Sequence, residues 1–222
     1  SFNFRELRQI SFAALMHDIG KLATPEFIID KSTKLETLFD RLILIETRLE
    51  VIKKVLYIAF LEGKITKEEQ VQKENLLEEY LTIIRKNNAG AEFMSDDTVK
   101  LIQMMHQNPY VIDGITYHLL TENEMYNLSV QRGTLTKEER DIINEHAKIS
   151  VDILNNLPFP QKYKEIPQIS GNHHEKINGK GYPLGLKGDE ISFEARILAI
   201  ADVFEALTAS DRPYKKANPL SF

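Results

Sequence analysis

The sequence predicts an all-α protein, and three observations carry that expectation. Hydroxyl and carboxylate residues spaced three apart recur as Thr33-Lys-Leu-Glu36, Thr66-Lys-Glu-Glu69 and Thr136-Lys-Glu-Glu139, each able to satisfy orphan amides at a helix start. Apolar residues Leu38, Leu42, Ile45, Leu49, Ile52, Leu56 and Ala59 step alternately by four and three, the narrow seam of a coiled coil. No strand-rich stretch, internal repeat or low-complexity tract competes with these signals.

In chain order, residues 1–22 read as one helix with Phe12, Ala13, Leu15 and Met16 in register. His17 and Asp18 sit near its end, Gly20 closes it, and Pro25 lies in the loop beyond. The Thr33 box opens a long helix that carries the seam as far as Gly63. The Thr66 box opens a charged helix with Leu77, Leu81 and Ile84 on one side, ending near Asn87, Asn88 and Gly90. Residues 36–90 are therefore expected to form an antiparallel helical hairpin. A helix over 97–107, a turn at Asn108-Pro109 and a helix over 112–127 follow. The Thr136 box then opens a helix on which His146 shares a face with Ile142, Ile143, Ile149 and Ile153.

Prolines at 158 and 160 precede a short helix that ends in His173 and His174. After it, Asn178-Gly-Lys-Gly-Tyr-Pro183 reads as a shaped loop: Asn-Gly favours a tight turn, Gly181 frees the backbone and Pro183 stiffens the exit. The last helix spans 193–208, with Ile197, Ile200, Ala201, Phe204 and Leu207 inward and Asp202 near its middle.

With 222 residues, 42% hydrophobic and 27% charged, the chain is long enough for one domain with a large insertion. Having no cysteine excludes disulfide scaffolds, thiolate zinc sites and cysteine nucleophiles, and is compatible with a cytoplasmic location. A formal charge of -5 argues against DNA as a partner, and no run is long and apolar enough to span a membrane. Both ends read as cut, so the sequence is expected to be a piece of a larger protein.

His17-Asp18, His173-His174-Glu175 and Asp202 together point to a divalent metal site. Mixed imidazole and carboxylate ligands suit transition metals, whereas Mg or Ca would be held almost wholly by oxygen. Taken singly, the histidine pairs are unspecific. Asp202 is the stronger sign, because a carboxylate within the apolar run IADVFEAL needs a cation or a dense shell of hydrogen bonds. His146 alone fits a neutral core histidine equally well. His106 and His118 have no supporting context and are read as structural or solvent-exposed.

HDIGK at 17–21, GTLTKEE leading to His146, HHEKINGKGYP at 173–183, ARILAIADVFEALTA and DRPYKKA at 211–217 stand in one order. In these segments the chain resembles the HD-GYP family, a branch of the HD-domain metal-dependent phosphohydrolases. The resemblance implies an HD-domain helical bundle with an inserted helical hairpin: residues 1–35 and 133–222 make the HD-GYP domain, and 36–132 the helical insertion. It implies hydrolysis of cyclic di-GMP, a bacterial second messenger, to pGpG, and leaves open a further step to GMP. His17, Asp18 and Asp202 would hold one divalent ion and Asp18, His146, His173 and His174 a second, with Asp18 bridging. The ions would be iron or manganese, and a third is left open.

The family takes further ligands from a helix upstream of HDIGK, yet residues 1–16 hold no histidine and Glu6 is their only acid. Among substrate contacts, Lys21 would meet a phosphate beside the catalytic Asp18, Arg212 and Lys215 would grip the dinucleotide backbone, and Tyr182 would touch substrate or a partner. A diguanylate cyclase engaged through the GYP loop, and a homodimer formed by the hairpin or an upstream domain, are the partners expected. Two other functions fit the same residues: a cyclic di-GMP-binding regulatory module without efficient turnover, and a general HD phosphohydrolase acting on nucleotides or phosphomonoesters.

Overall fold

The computed structural model describes residues 3–208. In chain order its elements are α1 (Phe4–Met16), a 3-10 turn (Ile19–Ala23), α2 (Glu26–Ile29), α3 (Leu42–Leu61), α4 (Lys67–Asn88), α5 (Asp96–Gln107), β1 (Tyr110–Ile112) and β2 (Ile115–Tyr117). They continue as α6 (Glu122–Leu128), α7 (Lys137–Asn144), α8 (His146–Asn155), α9 (Ile166–Gly171) and α10 (Phe193–Thr208), with short 3-10 turns at Gln161–Tyr163 and Gly188–Glu190. Helices dominate, as the capping boxes and the seam require. The chain divides into two compact units, one formed by its two ends, up to Ile29 and from Lys137, and the other by Asp30–Thr136. The divisions fall a few residues from the expected 35 and 132.

In the inserted unit, α3 and α4 form the expected antiparallel pair. Arg85 bonds Glu46 at 2.7 Å, and Lys53 pairs with Glu78, so the start of one helix meets the end of the other. Thr66 and Glu69 make a complete capping box at the start of α4. The seam residues Ile45, Leu49, Ile52, Leu56 and Ala59 are buried, but against α4, α5, α6 and the hairpin strands of their own unit. There they join Leu77, Ile84, Met94, Ile102, Met105 and Leu120 in one core. The pair is thus one wall of a small helical unit and not a projecting coil.

Two expectations fail here for visible reasons. The Thr33 box starts no helix: the Glu36 carboxylate does reach back to the amides of Ser32 and Thr33, at 2.7 and 3.1 Å. The fully buried Leu35, however, is drawn into the core with its amide on Asn88 Oδ1. The helix begins only at Leu42, and Leu38 is exposed. The helix expected over 112–127 is a β-hairpin followed by α6. Asp113 and Gly114 both have positive φ, 54° and 75°, which is the two-residue turn that joins twisted antiparallel strands. Thr121 and Glu124 then cap α6.

In the unit built from the two ends, Asn3 and Glu6 form a capping box on α1, which occupies Glu6. The helix stops at Met16 and not near 22. His17 caps it, and Asp18, at φ -97° and ψ 8°, turns the chain into the 3-10 segment. The helix expected from Thr136 is broken at Glu145 into α7 and α8, so Ile142 is exposed while His146, Ala147, Ser150 and Leu154 face inward. A core of Ala13, Leu154, Ile166, Ile169 and Leu198 holds α1, α8, α9 and α10 together.

On α10 the inward stripe is Ala195 and Leu198, with Asp202 half-buried further along. Ile200, Phe204 and Leu207, expected inside, are exposed. Turning Asp202 toward the histidines rotates that apolar arc outward.

Candidate metal centre

Three histidines are mounted in the same way. Nδ1 of His17 lies 2.8 Å from the Ala14 carbonyl, Nδ1 of His146 lies 2.5 Å from that of Ile143, and Nδ1 of His173 bonds that of Ser170. A carbonyl only accepts, so each Nδ1 carries a proton and each Nε2 is the ring nitrogen left to aim into the site. In every case the carbonyl lies three residues upstream, at the end of a helical turn, so the last turns of α1, α7 and α9 fix the tautomer and the aim of the ring.

These Nε2 atoms converge. His17 Nε2 is 3.3 Å from Asp18 Oδ2 and 3.6 Å from Asp202 Oδ1, while His146 Nε2 is 3.3 Å from Asp18 Oδ1. His173 packs against His174 with ring centroids 3.9 Å apart, and against His17 at 4.8 Å. Two groups of ligand atoms, His17 with Asp18 and His173, and His146 with His173 and His174, each lie within 4.8 Å of one another. His173 is common to both groups, a position expected of Asp18. The two Asp18 oxygens nevertheless face different histidines.

Asp18 Oδ1, His146 Nε2 and His173 Nε2 are buried and, beyond the 3.3 Å approach of the first two to each other, have no hydrogen-bond partner among the described residues. Buried polar atoms crowded together in this way are costly unless a cation satisfies them. The donor set therefore fits a divalent transition metal.

Two buried serines pin the segments that carry these groups. Ser150 Oγ donates to the His17 carbonyl at 2.7 Å and accepts from the Gly20 amide at 2.9 Å, tying the HDIGK turn to α8. Ser170 Oγ donates to the Ala13 carbonyl at 3.2 Å, tying α9 to α1. A Ser150→Ala variant would leave the Gly20 amide and the His17 carbonyl unsatisfied. It is expected to cost about 2 kcal/mol of stability and to weaken metal binding roughly 10- to 100-fold, measured by thermal unfolding and metal titration.

The local charges act in opposite directions. Hydrogen bonding to Asp18 and then Asp202 lifts His17 to about 10. Burial pushes His173 down to about 4 and His174 down to about 3, with His173 and His146 adding to the effect on His174. Burial alone would raise Asp18, but His146, His17 and Lys21 together hold its carboxyl well below the usual carboxylate range. Asp202 is lowered mainly by its bond to His17.

Of the remaining residues singled out by sequence, Lys21 places Nζ 2.6 Å from Asp18 Oδ2. Tyr182 lays its ring against His174, centroids 4.8 Å apart. Arg212 and Lys215 lie outside the described residues. Glu175, grouped with the histidines in the HHE run, is absent from both ligand groups. Its carboxylate instead accepts from the amides of Leu184, Gly185 and Leu186, at 2.6, 3.0 and 2.9 Å. Ser150 and Ser170 went unnoticed in the sequence, although each stands one helical turn from a histidine.

Residues 121–221 match the profile of a family described as HD domain. The chain is 42% identical over 88 residues to a 3'3'-cGAMP-specific phosphodiesterase of Vibrio cholerae, covering 40% of this chain and 18% of that protein. It is 41% identical over 86 residues to the cyclic di-GMP phosphodiesterase response regulator RpfG of Xanthomonas campestris pv. campestris, covering 38% and 22%. With a cyclic di-GMP phosphodiesterase of Thermotoga maritima it shares 44% over 90 residues, covering 40% and 23%. The matched stretch is thus about a fifth of the length of these relatives.

Proposed function

We propose that this chain, a member of the HD-GYP branch of the HD-domain family, hydrolyses cyclic di-GMP to pGpG, with a further step to GMP left open. The observation that carries the reading is the convergence of Asp18 Oδ1, His146 Nε2 and His173 Nε2, buried and unsatisfied among the described residues. Two divalent ions, iron or manganese, would be held among His17, Asp18, His146, His173, His174 and Asp202, and a third is left open. When bound, such ions lower the pKa of water toward neutrality and stabilise charge in an in-line displacement at phosphorus. The unit built from the two chain ends carries the activity, and the segment around 36–132 is the helical insertion.

The chain's own groups bind and orient. Asp18 offers one oxygen to the His146 side and the other to the His17 side. Lys21 has three protons, so it can keep its bond to Asp18 while donating to a phosphate oxygen. The Tyr182 phenol is pushed up to about 12, by burial first and then by Asp202 and Asp18, so at neutral pH it is a hydrogen-bond donor to substrate. Arg212 and Lys215 complete the grip on the dinucleotide phosphates in this reading. Incubating the purified protein with metal under reducing conditions and following pGpG by chromatography is the test, with 3'3'-cGAMP assayed in parallel. Retention of cyclic di-GMP without cleavage would overturn the proposal.

A proton should leave as metal enters. His173 and His174 are neutral at pH 7 because burial depresses both, whereas His17 is held protonated by its carboxylates. In the metal-free protein the His17 pairing stabilises fully below about 6.5 and is lost as pH rises through about 10. Metal loading between pH 7 and 8 is expected to release close to one proton from His17, read by calorimetry in buffers of different ionisation enthalpy. Apparent affinity should fall about tenfold per pH unit on going toward pH 5. Metal content that stays flat over this range would remove His17 from the ligands.

A homodimer through the inserted hairpin would have to use its outer face, where Leu44, Val51 and Ile58 are exposed at seven-residue steps, since the seam is consumed internally. Light scattering of a Val51→Lys variant tests this. A diguanylate cyclase bound at the GYP loop and a cytoplasmic site of action belong to the same proposal. No described helix is long and apolar enough to cross a membrane.

A further inference from the structure

We infer that Glu175 is a positioning residue of this site: its carboxylate builds the loop that presents Tyr182, acting through backbone amides and not on a metal ion. The inference rests on the function proposed above and assigns a role within it. Glu175 is buried at 7% exposure. Both of its oxygens are used, Oε1 by Leu184 and Gly185 and Oε2 by Leu186, three successive amides converging on one anion.

The near side of the loop is pressed on the same residue. A Cβ on Gly181 would fall 2.4 Å from the Glu175 Cα and 2.3 Å from the Lys176 amide nitrogen, so only glycine lets the strand pass. Immediately after it, the Tyr182 amide donates to the His174 carbonyl at 3.4 Å and the Tyr182 ring lies against the His174 imidazole. The neck of the loop is closed by the Asn178–Lys187 bridge and by the Gly188 amide on the Ile177 carbonyl at 3.1 Å. Glu175 therefore lies at the centre of a closed ring of backbone. Releasing its far side, 184–186, frees Tyr182 to swing away from His174.

A neutral amide cannot replace this carboxylate. Glutamine has one acceptor oxygen and would turn its N–H₂ toward at least one of the three amides, setting donor against donor. Glu175→Gln is isosteric and removes no metal ligand, so its effect should fall on the substrate-facing loop alone.

The test uses the full chain loaded with manganese. For Glu175→Gln, metal content is expected to match wild type. Turnover of bis(p-nitrophenyl) phosphate, a diester too small to need the loop, should stay within about twofold, while KM for cyclic di-GMP rises about tenfold, the effect of one lost charge-assisted hydrogen bond. Amide hydrogen exchange at 184–186 should accelerate. Loss of metal in Glu175→Gln, or an equal loss of rate on both substrates, would overturn the inference, as would wild-type KM and exchange. Were wild-type protein to cleave no cyclic dinucleotide, the proposed function would fail while the clamp would still stand or fall on the exchange rates.

Discussion

An Asp18→Ala variant is expected to fold, to retain little metal and to lose the proposed turnover of cyclic di-GMP by more than about 100-fold, beyond what loss of a supporting group around a metal typically costs. Asp18 faces His146 with one oxygen and both His17 and Lys21 with the other. Its removal strips the carboxylate from between two clusters of imidazoles and leaves His17 with Asp202 alone. The fold should survive, because Asp18 lies at the junction of α1 and the 3-10 turn, is partly exposed and packs in no apolar cluster. Circular dichroism, metal content by emission spectroscopy and chromatography of pGpG separate these effects. Full metal content with undiminished rate would remove Asp18 from the centre.

Gly20→Ala should fail in the opposite way, by unfolding the site. Its Cβ would stand 2.0 Å from the His146 carbonyl oxygen and 2.8 Å from the Ser150 amide nitrogen, both backbone atoms of α8. Neither can rotate away as a side chain would, so the HDIGK turn and α8 must separate, breaking the Ser150 bonds and pulling His17 and Asp18 from His146. A cost of about 3 kcal/mol or more is expected for such overpacking, which lowers the melting temperature by on the order of 10 °C. Metal affinity and rate should fall together with stability, unlike Asp18→Ala. A Gly20→Ala protein that melts like wild type would mean the close approach of the two segments is not required.

How much of this could be read in the sequence depended on whether the signal was local. Thr66 and Glu69 are three residues apart with every residue from 66 to 69 exposed, so no burial competes, and they cap α4 as the spacing implies. Thr33 and Glu36 have the same spacing, yet Leu35 between them is claimed by a distant core, and burial of a leucine outweighs a helix start. The Asp113-Gly114 pair has the residue types of a tight turn, but the flanking strands are three residues each, too short to show a period of two.

At the site, the residue types pointed to a centre that the folded chain draws together from His17 to Asp202. What no spacing could disclose were the groups that act across long separations. Ser150 reaches Gly20 over 130 positions, and Glu175 serves a loop and not the imidazoles beside it. On α10 apolar count favours the arc of Ile200, Phe204 and Leu207, which is the exposed one. The orientation is set instead by one carboxylate turned toward His17.

Interrupting the histidine-bearing unit with a self-contained one has a consequence for timing. The inserted unit has its own buried core and completes it with residues no later than 136. The first helix and the HDIGK turn, by contrast, find partners in α8, the Gln161–Tyr163 turn, α9 and α10, more than a hundred residues downstream. During synthesis the middle of this chain can therefore consolidate while its beginning waits unpaired. The imidazoles and carboxylates from His17 to Asp202 can meet only after α10 has emerged, so their assembly follows the point at which the inserted unit can close.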